Sequence, residues 1–322
     1  MKHLLFVVAA LALLASCASS PKAGSAPAAA SPAATAPSAA TAPSAATAPT
    51  PAPAPVAEKP AAPAAVTPAP VKKEPIVVIV NIPVERKASL RFGDGSLDEY
   101  TLSEWDGTQT KLLTQTRFTA SGTLVEKIDY TYAAGAVSTK LATDGEGKAA
   151  SRRDFSYNSL GRLVKDTLSD AAGKVVSSSE HTYDAAGKRA SWVVRDARNV
   201  AIAETVYTYK DDRLARSELR DGSGKKTGSS VYEYAPSGAL LRLRTFNAGD
   251  SLVRIELSHW EGERLAREER TSAGGQVQQR ISYEYGPQGE TVRRTIEDIL
   301  GKSKQIIEYE YSFREDRRTA EQ

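Results

Sequence analysis

The chain has 322 residues, 42 Lys+Arg against 39 Asp+Glu, and one cysteine. A net charge of +3 over that length, with no basic block standing apart from neighbouring acids, argues against a nucleic-acid partner. The single thiol excludes an intramolecular disulfide, and 14 of the 17 prolines lie between Pro21 and Pro75, which leaves about 245 residues for folded structure.

Met1-Lys2-His3 is a short basic start, and Leu4 to Leu14 is an apolar run of eleven. That is the length of a signal-peptide core and too short to span a bilayer. It ends in Leu14-Ala15-Ser16-Cys17, which resembles the lipobox of bacterial lipoproteins. The resemblance implies that residues 1–16 are removed and that Cys17 becomes the mature N-terminus. Cys17 would carry diacylglycerol and a palmitate-type chain, so the protein would partner the membrane through lipid. Several acyl chains on one residue anchor stably, at about 0.8 kcal/mol per buried CH₂. Ala18, where an inner-membrane retention signal would place Asp, implies the outer membrane of a bacterial cell envelope.

Residues 17–75 read as a disordered, Ala/Pro-rich tether. The hexapeptide Ala33-Ala34-Thr35-Ala36-Pro37-Ser38 recurs in tandem, and frequent Pro removes the helical donor. With no apolar face to bury, such a segment favours polyproline-II and coil. It would reach roughly 40 Å as a coil and roughly 180 Å fully extended.

Residues 76–103 are expected to form a capping strand and hairpin. Ile76 to Ile82 is β-branched almost throughout, and Gly93-Asp94-Gly95-Ser96 supplies a turn between Ala88–Phe92 and Leu97–Leu102. From 104 to 315 the sequence repeats every 25 or 26 residues, leaving 316–322 as a polar tail. The second aromatic position of each unit reads Tyr132, Tyr157, Tyr183, Tyr209, Tyr234, His259, Tyr285 and Tyr311. Two residues earlier stand Tyr130, Phe155, His181, Tyr207, Tyr232, Leu257, Tyr283 and Tyr309. Ten before the second aromatic comes a residue suited to positive φ: Gly122, Gly147, Gly173, Asn199, Gly224, Gly249, Gly275 and Gly301. A second turn follows each of the first seven pairs, with Gly in six of them and Asp211-Asp212 in the other.

Two turns per unit leave two antiparallel strands of eight to ten residues. The pleat sets Ile281, Tyr283 and Tyr285 on one face and Arg280, Ser282 and Glu284 on the other. The expected architecture is all-β: an extended, twisted antiparallel sheet of about eight two-stranded repeats, with the aromatic face concave. A membrane barrel is disfavoured, because the strands carry no continuous apolar face. Tyr157-Asn158-Ser159-Leu160-Gly161-Arg162-Leu163 and Tyr183-Asp184-Ala185-Ala186-Gly187-Lys188 resemble the YD repeats of Rhs-type proteins. The resemblance spans about residues 100–315 and implies a long antiparallel sheet. The toxin-shell role is not implied, since the chain has neither the Asp-Pro-x-Gly-Leu motif nor an effector domain after the repeats.

His181 and His259 fall on aromatic positions, so the period explains both without a catalytic role. No metal-ligand spacing or cofactor motif is present, and Asp129, Asp154, Glu180, Glu204 and Glu308 recur by period on the charged face. Trp105, Trp192 and Trp260 depart from the pattern and are candidates for stacking on a ligand. The expected function is a non-enzymatic, membrane-anchored scaffold that binds an envelope protein. The alternative is a module that binds cell-wall glycan, such as peptidoglycan, through Tyr and Trp of the repeat face.

Overall fold

The computed structural model describes residues 76–320. The leader, Cys17 and the tether therefore lie outside the described residues.

Eighteen strands form a single sheet. They are β1 Ile76–Phe92, β2 Leu97–Trp105, β3 Leu112–Thr119, β4 Leu124–Ala133, β5 Ala136–Asp144 and β6 Ala149–Tyr157. β7 is Leu163–Asp170, β8 Val175–Tyr183, β9 Arg189–Asp196, β10 Ala201–Lys210, β11 Arg213–Asp221 and β12 Lys226–Tyr234. β13 is Leu240–Asn247, β14 Leu252–Glu261, β15 Arg264–Ser272, β16 Val277–Tyr285, β17 Thr291–Asp298 and β18 Ser303–Ala320. Each strand pairs antiparallel with its neighbours in sequence, and β1 pairs with β18 from Ile76↔Ala320 to Phe92↔Gln305. The sheet is therefore a closed up-and-down barrel.

Closure corrects the expectation of an extended array, whose ends the sequence leaves undecided between open and closed. Every strand twists against its neighbour, and over eighteen strands the accumulated curl brings the first edge to the last. Pairing these edges removes both exposed ladders. The segment 76–103 is consequently no separate cap: β1 and β2 are staves of the same wall. Nor is 316–322 wholly a tail, because β18 runs to Ala320.

Opposed residues in an antiparallel pair share a face, so the register assigns every side chain. One face carries Tyr130, Phe155, His181, Tyr207, Tyr232, Tyr283 and Tyr309, with Trp192 opposite His181. The other carries Arg152 and Asp154, Glu180 and Arg195, Arg280 and Glu269, Arg293 and Glu308. Asp129, Asp154, Glu180, Glu204 and Glu308 all take the charged face, as their period requires.

Side chains converge on the concave side of a barrel. Burial raises the Tyr130, Tyr207, Tyr283 and Tyr309 phenols above the usual tyrosine value. On the opposite face Glu310 and Glu284 keep 64% and 60% of their side-chain surface. The aromatic face is thus the lumenal one.

Eighteen tilted strands about 4.8 Å apart enclose a ring roughly 36 Å across, too wide for side chains to fill. Among the described residues Val84 is the only buried hydrophobic, and no large side chain is fully buried. Both faces meet water. The wall is held by its ladders and by cross-strand pairs, each contributing roughly 0.2–1 kcal/mol.

The outer face also decides the relation to lipid. It bears Arg91–Glu308 at 2.7 Å, Arg293–Glu308 at 2.6 Å, Arg280–Glu269 at 3.1 Å and Arg195–Glu180 at 3.1 Å, repeated around the ring. Each Arg or Lys facing lipid would cost about 2–4 kcal/mol at the bilayer midplane. A belt of them would make insertion costly.

β1 and β18 are nearly twice as long as the other strands. β2 accompanies β1 only from Lys87 to Arg91, and β17 accompanies β18 only from Ser303 to Glu308. Val77–Val84 and Ser312–Thr319 therefore continue past the rim as a two-stranded ribbon. Val77, Ile79 and Phe313 are exposed on it, whereas Val84 at its root is buried. The Arg86 Nε donates to the Ser312 Oγ at 2.7 Å, and the Trp105 indole N–H donates to the Glu85 carbonyl, fixing the ribbon to the barrel.

Candidate functional site on the lumenal face

The most regular feature of the lumen is a ring of side chains near the rim from which the ribbon projects. At that rim, the two strands that meet between successive hairpins have no turn to join them. An aromatic donor bridges each such gap. Tyr132, Tyr157, Tyr183, Tyr209, Tyr234, Tyr285 and Tyr311 each donate a hydroxyl to the backbone carbonyl twenty residues upstream, at 2.8–3.0 Å. Trp105 and Trp260 do the same with the indole N–H, to Glu85 and Leu240 at 2.8 Å.

This geometry shifts one repeat of the sequence register. His259 was expected on the second aromatic position and Leu257 on the first. The structure places Trp260 and Ser258 there, while His259 and Leu257 point to the outer face opposite Arg267 and Glu269. The turn residue moves with them: Asp250 (φ 59°), not Gly249, takes positive φ. In the last repeat Lys302 (φ 50°) replaces Gly301. The other six expected positions, from Gly122 to Gly275, all have positive φ, as do the Gly residues of the second turns and Asp211-Asp212. Trp105 and Trp260 are thus rungs, with their polar atom engaged by the wall.

Five rungs carry a cation over the ring. Lys111 covers Tyr132, Arg162 Tyr183, Lys188 Tyr209, Arg213 Tyr234 and Arg264 Tyr285, at 5.3–5.7 Å from the ring centroid. Each cation immediately precedes the residue whose carbonyl accepts the rung. The sequence shows these as Arg or Lys just after the turn, although no local pattern encodes the stacking itself.

An Asp or Asn opens many of the turns. Asp170 Oδ1 accepts from the backbone N–H groups of Ala172 and Lys174, and Asn158 Oδ1 from Leu160 and Arg162. Asp196, Asp221 and Asn247 repeat the arrangement. Side chains of this kind stabilise a turn by mimicking its backbone. Asp106, half-buried, is held down to about 2 by the Lys111 N–H and the Thr108 hydroxyl, with help from Thr110. The signal in the sequence is Asp or Asn three residues before the turn Gly.

Above the rungs, the first aromatic positions are less uniform. The Tyr130 hydroxyl donates to the Gln115 Oε1 at 2.5 Å, and that of Tyr283 to the Glu268 Oε2 at 2.5 Å. Close by, Glu256, Glu268, Glu269, Arg270, Gln279 and Ile281 line a small cavity of about 100 Å³. His181 holds the same position in β8 and is 8% exposed. Its ring lies parallel to Trp192, with centroids 6.3 Å apart. Of the three Trp residues, only Trp192 stands away from the rungs. No His/Cys/Asp/Glu cluster that could hold a metal occurs among the described residues.

No family model and no curated protein matches the chain. Among solved structures it is similar to a porin-like protein from Bacteroides uniformis, at 10% identity and a TM-score of 0.40, covering 71% of this chain and 98% of that one. A porin-like protein from Bacteroides vulgatus is matched over the same shares, at 11% identity and a TM-score of 0.24. The TcdB2–TccC3 structure lacking its hypervariable C-terminal region is matched over 69% of this chain and 16% of that one, at 11% identity and a TM-score of 0.21. The barrel fold stands on the strand pairing itself, to which likenesses at these scores add nothing.

Proposed function

We propose that this chain is a lipid-anchored protein of the bacterial outer membrane whose barrel, built of YD-type repeats, is a non-enzymatic interaction scaffold. The observation that carries this reading is the conjunction of a lipobox-like sequence with a charged outer wall. Leu14-Ala15-Ser16-Cys17 contains the chain's one cysteine, and the density of charge on the outer wall makes entry into lipid costly. A protein of that kind reaches the membrane by a tether. The repeat identity is supported by the recurring Tyr rung with its Asp- or Asn-opened turn. The non-enzymatic reading is supported by the histidines: His181 stands in a structural register position and His259 in an outer ion-pair network.

Radiolabelled palmitate should enter the wild type and fail to enter Cys17→Ala. Equal labelling of the two, or none in either, overturns the anchor. Protease shaving of intact cells then decides which side of the outer membrane the barrel faces.

A second reading, a module for cell-wall glycan, is favoured by one observation. The aromatic face lines a lumen that is open to water.

A further inference from the structure

The ribbon that β1 and β18 form beyond the rim has two free edges of opposite character. Two strands alone are marginally stable in water, and a lasting sheet needs more. The β18 edge runs Arg314-Glu315-Asp316-Arg317-Arg318, the kind of charged edge that blocks further strand pairing. The β1 edge runs Val77-Val78-Ile79-Val80-Asn81-Ile82 without a charge. Val77, Val78 and Ile79 are 58%, 44% and 55% exposed, and Asn81 is exposed beside them.

The backbone of the β1 edge is aimed outward at definite positions. In an antiparallel strand the N–H and C=O of one residue point to the same side, and the side alternates along the chain. The Glu85 carbonyl accepts from the Trp105 indole in β2, so it faces away from β18. The register with β18 is unbroken from Ile76 to Glu85, so Val77, Ile79 and Asn81 face the same way. β2 pairs only from Lys87 onward, and no other described strand reaches these three. Pro83 falls in the same series, where its missing donor costs the β1–β18 ladder no bond.

We infer that this edge pairs antiparallel with the same edge of a second copy of the chain, about a two-fold axis at Ile79. Val77 then exchanges two backbone hydrogen bonds with Asn81 of the second copy, Ile79 two with its counterpart, and Asn81 two with Val77. Pro75 and Pro83 stand at equal distances from Ile79, so each meets the other at an end of the ladder, and the residues without a donor face one another. Val78 lies across from Val80 on one face and Ile79 from Ile79 on the other, and β-branched pairs of this kind stabilise a sheet. The product is a four-stranded sheet with an apolar centre and charged edges. The β18 edge cannot pair in this way, because any two-fold register centred within Arg314–Arg318 sets a charge against itself. The interface is isologous and closes at two copies. One strand pair buries less than the roughly 1,000 Å² of a stable complex, so the dimer is a reversible one. The inference stands apart from the lipid anchor and from the glycan reading.

Sedimentation equilibrium of the full chain, in detergent matched in density to the solvent, should show a reversible monomer–dimer equilibrium. Ile79→Glu places two carboxylates on the axis while facing Arg317 in its own ribbon. Ile79→Lys places two ammonium groups there. Each variant alone should be monomeric and melt like the wild type, because the ribbon lies outside the barrel. Mixing the two should restore the dimer, since opposite charges then meet at the axis. A dimer that persists in Ile79→Glu, or a mixture that stays monomeric, overturns the pairing. A wild type that is monomeric up to millimolar concentration overturns it too. If phosphatidylcholine liposomes then slow amide exchange at Val77–Asn81, the edge belongs to a lipid surface instead.

Discussion

The Tyr183 hydroxyl donates to the Leu163 carbonyl at 2.8 Å while the Arg162 guanidinium covers its ring at 5.5 Å. Tyr183→Phe should therefore cost about 0.5–1.5 kcal/mol, one net hydrogen bond. Tyr183→Leu should cost more, because the cation–π contact of about 0.5–1 kcal/mol goes too. A denaturant melt of each variant measures both. Gly187 sits at φ +79°, and a Cβ there would run into the Arg162 guanidinium, so Gly187→Ala should be destabilising although the turn is exposed. The turn carboxylates give a pH dependence. Hydrogen bonds hold Asp106 at about 2, and Asp94, Asp196 and Asp221 also titrate below the usual carboxylate value. Their stabilisation is present above the unfolded carboxylate range and is lost as pH falls through the folded values. The melting temperature should thus drop between about pH 4 and pH 2. A flat profile there would contradict the assigned hydrogen bonds.

At the scale of the element, the sequence makes the hairpin legible and the edges less so. Alternation alone places Ile281, Tyr283 and Tyr285 together, and the turn glycines follow from their need for positive φ. The slip at His259 has a physical cause. The repeat length varies between 25 and 26, and Gly249 stands one residue before the Asp250 that actually turns. Trp260 could have been recognised, because Trp105 lies ten residues after Gly95 just as Tyr132 lies ten after Gly122. The joint of β1 with β18 is different. It links residues more than 200 positions apart, and no local pattern encodes it. Its strength is open to test. Backbone amides of Lys87–Arg91, paired on both sides, should exchange as slowly as those of β10, whereas Val77–Asn81 on the ribbon should exchange faster. Val84→Ala, at the one buried aliphatic among the described residues, should lower stability by roughly 1–2 kcal/mol, and Val77→Ala should have little effect.

For the whole molecule, the aromatic face is concave, as the pattern suggests. An outer wall of Arg–Glu pairs was likewise legible, since period two with charge on one strand face leaves little else. What the sequence does not set is the number of strands at which curl becomes closure. Eighteen strands laid flat would hold β1 and β18 about 80 Å apart. In the closed barrel Leu90 and Ile307 are directly opposed. The decisive measurement is therefore a disulfide. In the full chain with Cys17→Ala, Leu90→Cys and Ile307→Cys supply the only two thiols. Mild oxidation should produce an intramolecular bond in nearly every monomer, read as a mobility shift reversed by reductant. Two free thiols after oxidation, or bonds only between chains, would contradict the closed barrel.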